Sequence, residues 1–155
     1  MRRAFFMLLF IMFSSVIIHA QDSTRTMRTI LDGKRYSFEP TSMTPMRGAT
    51  RQINGGFSLD VKGDTLIVYL PYIGRAYSAP YGSSEAGYDF TSTSYEYTIK
   101  EGKKKSYEIT IKVKDKPAST TFYITTYDNG SALVRANSSD KQDIAYNGYI
   151  KEPKK

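Results

Sequence analysis

The chain has 155 residues, no cysteine, no tryptophan and one histidine, and its formal charge at pH 7 is +7. The lack of cysteine, and of any histidine beyond the first 20 residues, which look removable, excludes from the mature chain a disulfide framework, a thiolate or imidazole zinc centre and a nucleophile activated by histidine. Thirteen tyrosines, with many threonines and glycines, are typical of strands and tight turns in a single domain.

The first 20 residues have the order of a secretion signal. Arg2 and Arg3 precede an apolar run over residues 4–18, and Ala20 suits the cleavage position. The run is short for a membrane-spanning helix, which needs about 20 apolar residues, so an uncleaved anchor is the less favoured alternative. Cleavage removes His19 and leaves 20 basic against 15 acidic residues, a formal charge of +5. We expect an exported protein, periplasmic or at the cell surface, without a transmembrane segment after cleavage.

Residues 21–34 are an N-terminal segment that contains one predicted helix. Asp22 or Ser23 could cap this helix and Gly33 could end it. Its apolar face would be formed by Met27, Ile30 and Leu31. Residues 35–150 are predicted to form a single β domain, followed by a basic tail over residues 151–155.

The β domain is predicted to begin with a short strand and a clear hairpin. Pro40 should stop a first strand over residues 35–38, and residues 41–56, which contain proline and three glycines, should form a loop. A two-residue turn at Gly63-Asp64 then sets Lys62 opposite Thr65. This register places three apolar pairs on one face: Val61 with Leu66, Leu59 with Val68, and Phe57 with Leu70.

A second hairpin is predicted between residues 94–100 and 106–114. A five-residue loop over residues 101–105 sets Ile99 opposite Tyr107, Tyr97 opposite Ile109 and Thr98 opposite Glu108. We prefer it to a shorter loop because that loop would place two glutamates opposite each other. The face that carries Glu96, Thr98, Lys100, Glu108, Thr110 and Lys112 is polar, and we expect it to meet water.

A third hairpin is predicted to turn at Asn129-Gly130, between strands over residues 120–127 and 131–136. The expected faces are Phe122, Ile124 and Leu133 on one side and Tyr123, Tyr127 and Val134 on the other. Apolar residues on both faces predict strands that are central in the sheet or covered on both sides. With a last strand over residues 144–150, the sequence predicts a mainly β fold: an antiparallel sandwich or barrel-like sheet of about nine strands.

The most distinctive segment is Leu-Pro-Tyr-x-Gly-Arg, residues 70–75, followed by further tyrosines. Together with Asp-Thr-Leu at 64–66, Asn-Gly-x-Ala at 129–132 and Ile-x-Tyr-x-Gly at 144–148, it resembles the secreted bacterial family catalogued as domain of unknown function 4251. The resemblance covers residues 35–150. It implies an exported protein of a Gram-negative anaerobe without an assigned activity, and it supplies no catalytic residues.

The tyrosine-rich segment has two interpretations. Tyr72, Tyr77 and Tyr81 could line one concavity with Arg75, where their rings would stack on a sugar or contact a protein and the guanidinium would bind an anion. Alternatively, the segment packs its own rings over an open end of the sheet, with Arg75 bound to backbone carbonyls or to Asp89. Self-packing is the more common behaviour of such segments.

A pair of carboxylates is the remaining route to catalysis. The candidates are Glu39, Asp60, Asp64, Glu85, Asp89 and Asp143, and their spacing does not force any two together. Lys103, Lys104 and Lys105 at a hairpin tip are typical of a solvated charge run and not of a nucleic-acid site. We therefore expect a non-enzymatic binding or structural module of the bacterial cell envelope, without cofactor, metal or nucleic acid, and with a glycan or an envelope protein as partner. The alternative is a glycan-active hydrolase.

Overall fold

The structure is a computed structural model, and it describes residues 26–77 and 87–152. The predicted secretion signal, the helix caps Asp22 and Ser23, Tyr81, Glu85 and most of the basic tail lie outside these residues. The elements are α1 (Met27–Asp32), β1 (Arg35–Pro45), β2 (Arg51–Gln52), β3 (Ser58–Lys62), β4 (Thr65–Leu70), β5 (Tyr88–Ser92), β6 (Tyr95–Glu101), β7 (Ser106–Val113), β8 (Thr120–Tyr127), β9 (Ser131–Ser138) and β10 (Lys141–Lys151).

The strands form one antiparallel sheet that curls into a half-barrel, which confirms the predicted fold class. The strand order is β5-β4-β3-β1-β10-β9-β8-β7-β6, and β2 pairs with β1 outside this path. The curl is deep enough to bring the hydroxyl of Tyr36, on β1, within 3.4 Å of the hydroxyl of Tyr97, on the edge strand β6. The core therefore lies on the concave side of a single sheet.

The first predicted hairpin is confirmed except at its open end. Lys62 lies opposite Thr65, Val61 opposite Leu66 and Leu59 opposite Val68, and the four apolar side chains are fully buried. The pair of Phe57 with Leu70 is wrong, because β3 begins only at Ser58. The Phe57 ring stacks instead on Tyr69, with ring centroids 5.1 Å apart, and Tyr69 is exposed on the convex face.

The prediction that the first strand ends before Pro40 is wrong, as is the prediction that residues 41–56 form only a loop. β1 continues through Pro40 to Pro45, with a register shift between Pro40 and Ser42 in its pairing with β10. Such a bulge tolerates a residue that has no N–H to donate. Opposite Pro40 lies Gly148, whose missing side chain lets the two backbones approach each other. Arg51 and Gln52 form β2 on the other side of β1.

The second predicted hairpin has the right strands but the wrong register. Ile99 lies opposite Ile109 and Lys100 opposite Glu108, two residues away from the predicted pairing. A loop that begins at Gly102 sets this register, because the Gly102 N–H donates to the Ser106 carbonyl at 2.8 Å. The predicted polar face is exposed apart from the half-buried Thr110, and Lys103 to Lys105 are exposed at the hairpin tip.

The third predicted hairpin has the right strands, but β9 presents its faces in the opposite sense. Ile124 lies opposite Val134 and Thr125 opposite Leu133, so Val134 is buried and Leu133 is on the convex face. Tyr123 and Tyr127 are also exposed there, by 50% and 43%. The strands are central in the sheet, which is one of the two predicted alternatives, and their convex face is exposed.

The helix is shorter than predicted and links the first strand to an edge of the sheet. Thr26 caps it by accepting the Thr29 N–H at 3.4 Å, and its apolar residues Met27 and Leu31 are buried. The Tyr97 hydroxyl, on β6, donates to the Leu31 carbonyl at 3.1 Å. α1 thus packs between β1 and β6. Over the part of the chain that the structure describes, no helix is both long and apolar enough to cross a bilayer.

Candidate functional site

The end of the half-barrel where β10 begins is covered by the predicted tyrosine-rich segment. The Tyr77 N–H donates to the Asp140 carbonyl at 2.6 Å, and the Gln142 N–H donates to the Arg75 carbonyl at 3.1 Å. Ala76 forms an isolated antiparallel bridge with Lys141. The segment is therefore fixed to the turn between β9 and β10 through its backbone, which leaves its side chains free for other contacts.

Lys141 is the centre of an aromatic cluster at this end of the barrel. Its ammonium lies 4.6 Å from the ring centroid of Tyr88 and 5.4 Å from that of Tyr72. It donates to the Gly87 carbonyl at 3.3 Å and lies 3.6 Å from the carboxylate of Asp140. Only 11% of the Lys141 side chain is exposed. Two ring faces and a carboxylate together offset the desolvation of this ammonium.

The structure places the four predicted site residues in different surroundings. Tyr72 is half-buried, its ring packs edge-on against Tyr88 with centroids 6.2 Å apart, and its hydroxyl donates to the Arg75 carbonyl at 2.9 Å. The side chains of Arg75 and Tyr77 are exposed, and Tyr81 lies outside the described residues. Tyr72 thus packs on its neighbours, and the concavity shared with Arg75 stays a prediction.

The cluster holds two deeply buried tyrosine hydroxyls with contrasting environments. The Tyr146 hydroxyl donates to the Pro71 carbonyl at 2.6 Å. The Tyr88 hydroxyl is buried and has no hydrogen-bond partner among the described residues. Burial raises the pKa of both hydroxyls, and the Asp140 carboxylate raises the pKa of Tyr88 further. Both phenols are therefore neutral donors at physiological pH.

This contrast leads to a prediction for two matched Tyr→Phe substitutions. We expect Tyr146→Phe to lower the free energy of unfolding by about 1 kcal/mol, because it removes a made hydrogen bond. We expect Tyr88→Phe to be neutral or slightly stabilising, because it removes a buried hydroxyl that lacks a described partner. Urea unfolding of the two variants measures both effects. A larger loss for Tyr88→Phe than for Tyr146→Phe would contradict this account of the cluster.

Beside the cluster lies a groove of about 720 Å³, within the usual size of ligand sites. One wall is formed by residues 87–90, at the start of β5. The other wall is formed by residues 116–118, Thr120 and the turn over residues 138–141. Phe90, Pro117 and Ala118 supply apolar surface to the groove, and four ionic side chains also line it.

The charges in the groove are balanced. Lys116 and Lys141 contribute two positive charges, and Asp89 and Asp140 contribute two negative charges. Asp140 is further held by a hydrogen bond from the Ser138 hydroxyl. The arrangement offers donors, acceptors and an apolar wall without a net charge, which is suited to a ligand of low net charge that both donates and accepts hydrogen bonds.

The predicted carboxylates are distributed over the convex face and its rims. Glu39 and Asp60 line a second groove of about 510 Å³ beside Tyr149. Glu39 pairs with Lys151, and Asp60 accepts the Ser37 hydroxyl. The other carboxylates stand apart from this groove: Asp64 is exposed in a turn, Asp89 is exposed on β5, and Asp143 accepts the Asn137 amide at 2.8 Å. Residues 26–77 and 87–152 contain no cluster of three acidic or imidazole side chains that could hold a metal.

Comparisons with known proteins give the family. The model of the family described as Domain of unknown function (DUF4251) matches residues 19–150. The chain belongs to this family. Its fold is similar to the crystal structure of a DUF4251 family protein from Bacteroides eggerthii, at 1.95 Å resolution. That protein is 15% identical, with a TM-score of 0.64 over 81% of this chain and 84% of the other. No curated protein matches the chain significantly.

In this DUF4251 chain, sequence reasoning missed Lys141 and underestimated Tyr88. Lys141 follows Ser138, Ser139 and Asp140 in a polar turn, which is the usual setting of a solvated lysine. Its partner carbonyl, that of Gly87, lies 54 residues earlier in the chain. The only local signal was the Gly-Tyr-Asp-Phe run at 87–90, which predicts renewed extended structure but not its contact with Lys141.

Proposed function

We propose that this DUF4251 chain is an exported, non-enzymatic binding module of the bacterial cell envelope and that the groove between β5 and the turn over residues 138–141 is its ligand site. The observation that carries the proposal is Lys141, an almost buried ammonium held on two tyrosine rings in the wall of a 720 Å³ groove. Lys141 thus places a fixed cation and two aromatic rings beside the apolar surface of the groove, a combination of polar and apolar groups that is typical of ligand sites.

Export is supported by the first 20 residues, with their basic start, apolar run and Ala20. The test is mass spectrometry of the protein recovered from the envelope of the producing cell. We expect Gln21 as the N-terminus, in a periplasmic or surface fraction. An intact Met1, or recovery with the integral membrane proteins, would refute export.

Binding in the groove is tested by protein-observed NMR with panels of oligosaccharides and short peptides. We expect at least one class to shift resonances of residues 87–90 and 138–141. Ala118→Trp, which fills the groove, should abolish this binding, whereas Thr98→Trp, on the exposed face of β6, should not. Ligands that still bind after Ala118→Trp would place the site elsewhere.

The alternative is a glycan-active hydrolase, and the shared groove of Glu39 and Asp60 is the observation that favours it. Such an enzyme needs two carboxyl groups that are free to act on the substrate. Glu39 is instead paired with Lys151, and Asp60 accepts the Ser37 hydroxyl and lies 3.9 Å from the Lys62 ammonium. We therefore favour binding, and release of reducing ends that Glu39→Gln and Asp60→Asn both abolish would support the hydrolase instead.

A further inference from the structure

We propose that the occupant of the groove is an extended polypeptide segment that pairs with the edge of β5 opposite β4 and so adds a strand to the sheet. This inference rests on the proposed binding function of the groove and names its ligand class. Strand addition of this kind uses backbone hydrogen bonds for affinity and alternate side chains for specificity.

The groove runs along β5. The groove contacts the successive residues Gly87, Tyr88, Asp89 and Phe90. Successive side chains of a strand point to opposite faces, so a groove over one face would meet only every second residue. β4 occupies one edge of β5, from Leu70–Tyr88 to Leu66–Ser92. The groove therefore follows the other edge, where β5 has no strand neighbour among the described residues.

Four residues of β5 are available to pair with an added strand. At the far end of β5, the Asp115 carboxylate accepts the Ser92 hydroxyl at 2.6 Å and the Thr93 N–H at 3.0 Å, which closes the edge. At the near end, the Lys141 ammonium donates a hydrogen bond to the Gly87 carbonyl. Residues 88–91 remain between these two contacts, about 14 Å of strand. This is enough to pair with a segment of four or five residues.

The walls define the chemistry of the segment. Phe90 and Ala118 are half-buried along the groove, so ligand side chains that point toward them should be small and apolar. Asp89 points outward and is exposed, which favours a basic ligand residue opposite it. The balanced charge of the groove suits an uncharged backbone.

The experiment uses the blocked pentapeptide acetyl-Thr-Val-Lys-Val-Thr-amide and two N-methylated analogues, one methylated at both valines and the other at the lysine and both threonines. In a strand, the N–H groups of alternate residues point to opposite edges. We expect the parent peptide to bind with a dissociation constant measurable by NMR titration. One analogue should then lose at least about tenfold in affinity, while the other binds like the parent. Amides of alternate residues of β5 should gain protection from hydrogen exchange, and those of β6 should not change.

The outcomes separate this inference from the proposed function. Equal binding of the three peptides, or equal loss with both analogues, would overturn strand addition. Binding of an oligosaccharide in the groove without any peptide binding would overturn it too, yet would leave the binding function intact. Protection of β5 that grows with protein concentration alone would point to a second copy of the chain and would likewise overturn the inference.

Discussion

Val68→Asp is expected to leave the chain unfolded at room temperature. Val68 is fully buried on β4, opposite Leu59 on β3 and Phe90 on β5. An unpaired carboxylate at this position costs several kcal/mol, and the lost burial of the valine adds about 1.5–3 kcal/mol. Their sum is comparable to the whole stability of a small domain, about 5–15 kcal/mol. Circular dichroism and thermal melting measure the outcome.

The matched control is Thr110→Asp, on the convex face of β7. Thr110 is half-buried between Thr98 and Tyr123 on the neighbouring strands, so a carboxylate there stays in contact with water. We expect a change of about 0.5 kcal/mol or less in the free energy of unfolding. If Val68→Asp melted like the unmodified chain, the register of the β3–β4 hairpin and the position of the core would both be wrong.

The hairpin that contains Val68 could be predicted because two independent signals agreed there. The Gly63-Asp64 turn fixes the register, and the alternation of apolar residues on β3 and β4 fixes the buried face. A slip by one residue would have turned Val61 and Leu66 to opposite faces, and the pattern would have revealed it.

In the second hairpin, the pattern of apolar residues could not reveal that the predicted register was wrong. The predicted and observed pairings differ by two residues, and a shift of two keeps every side chain on its face. The register is therefore set by the loop, in which Lys104 and Lys105 adopt left-handed conformations with φ of 57° and 56°. The resulting register also sets Lys100 opposite Glu108 and Glu96 opposite Lys112, two attractive pairs.

The prediction of the third hairpin was wrong by one residue in the length of its loop. A two-residue turn at Asn129-Gly130 would put Leu133 on the face of Ile124. In the structure, the Gly130 N–H donates to the Tyr127 carbonyl at 2.9 Å, and Gly130 has a φ of 81°. This conformation adds a residue to the loop, and one added residue exchanges the faces of the following strand. The exposure of Leu133 is the consequence.

The candidate site was predictable only in part because its residues converge through the curl of the sheet. The tyrosine-rich segment was singled out by composition, and Tyr72 indeed lies in the cluster. Tyr88 and Lys141 belong to strands that are far apart in the strand order. Their contact requires the half-barrel shape, which no local pattern of either strand encodes.

Gly148→Ala, opposite the bulge of β1, is also expected to cause a large loss of stability. A methyl group at Gly148 would collide with the Glu39 carbonyl oxygen and would lie 2.8 Å from Cα of Pro40. Both are backbone atoms of β1, so no side-chain rotation relieves the contact. β1 and β10 are adjacent in the middle of the sheet, and separating them would disturb the pairing on both sides. We expect a loss of about 3 kcal/mol or more in urea unfolding.

Asn147→Ala is the control for this substitution, on the neighbouring residue of the same strand. Asn147 is exposed, and its carbonyl, which accepts the Thr41 hydroxyl at 3.2 Å, remains after the change. We expect a loss of less than about 1 kcal/mol. Similar stabilities of the two variants would mean that β1 and β10 can separate at the bulge without cost. In that case Pro40 would end β1, as its lack of an N–H alone had predicted, and residues 41–45 would belong to a loop.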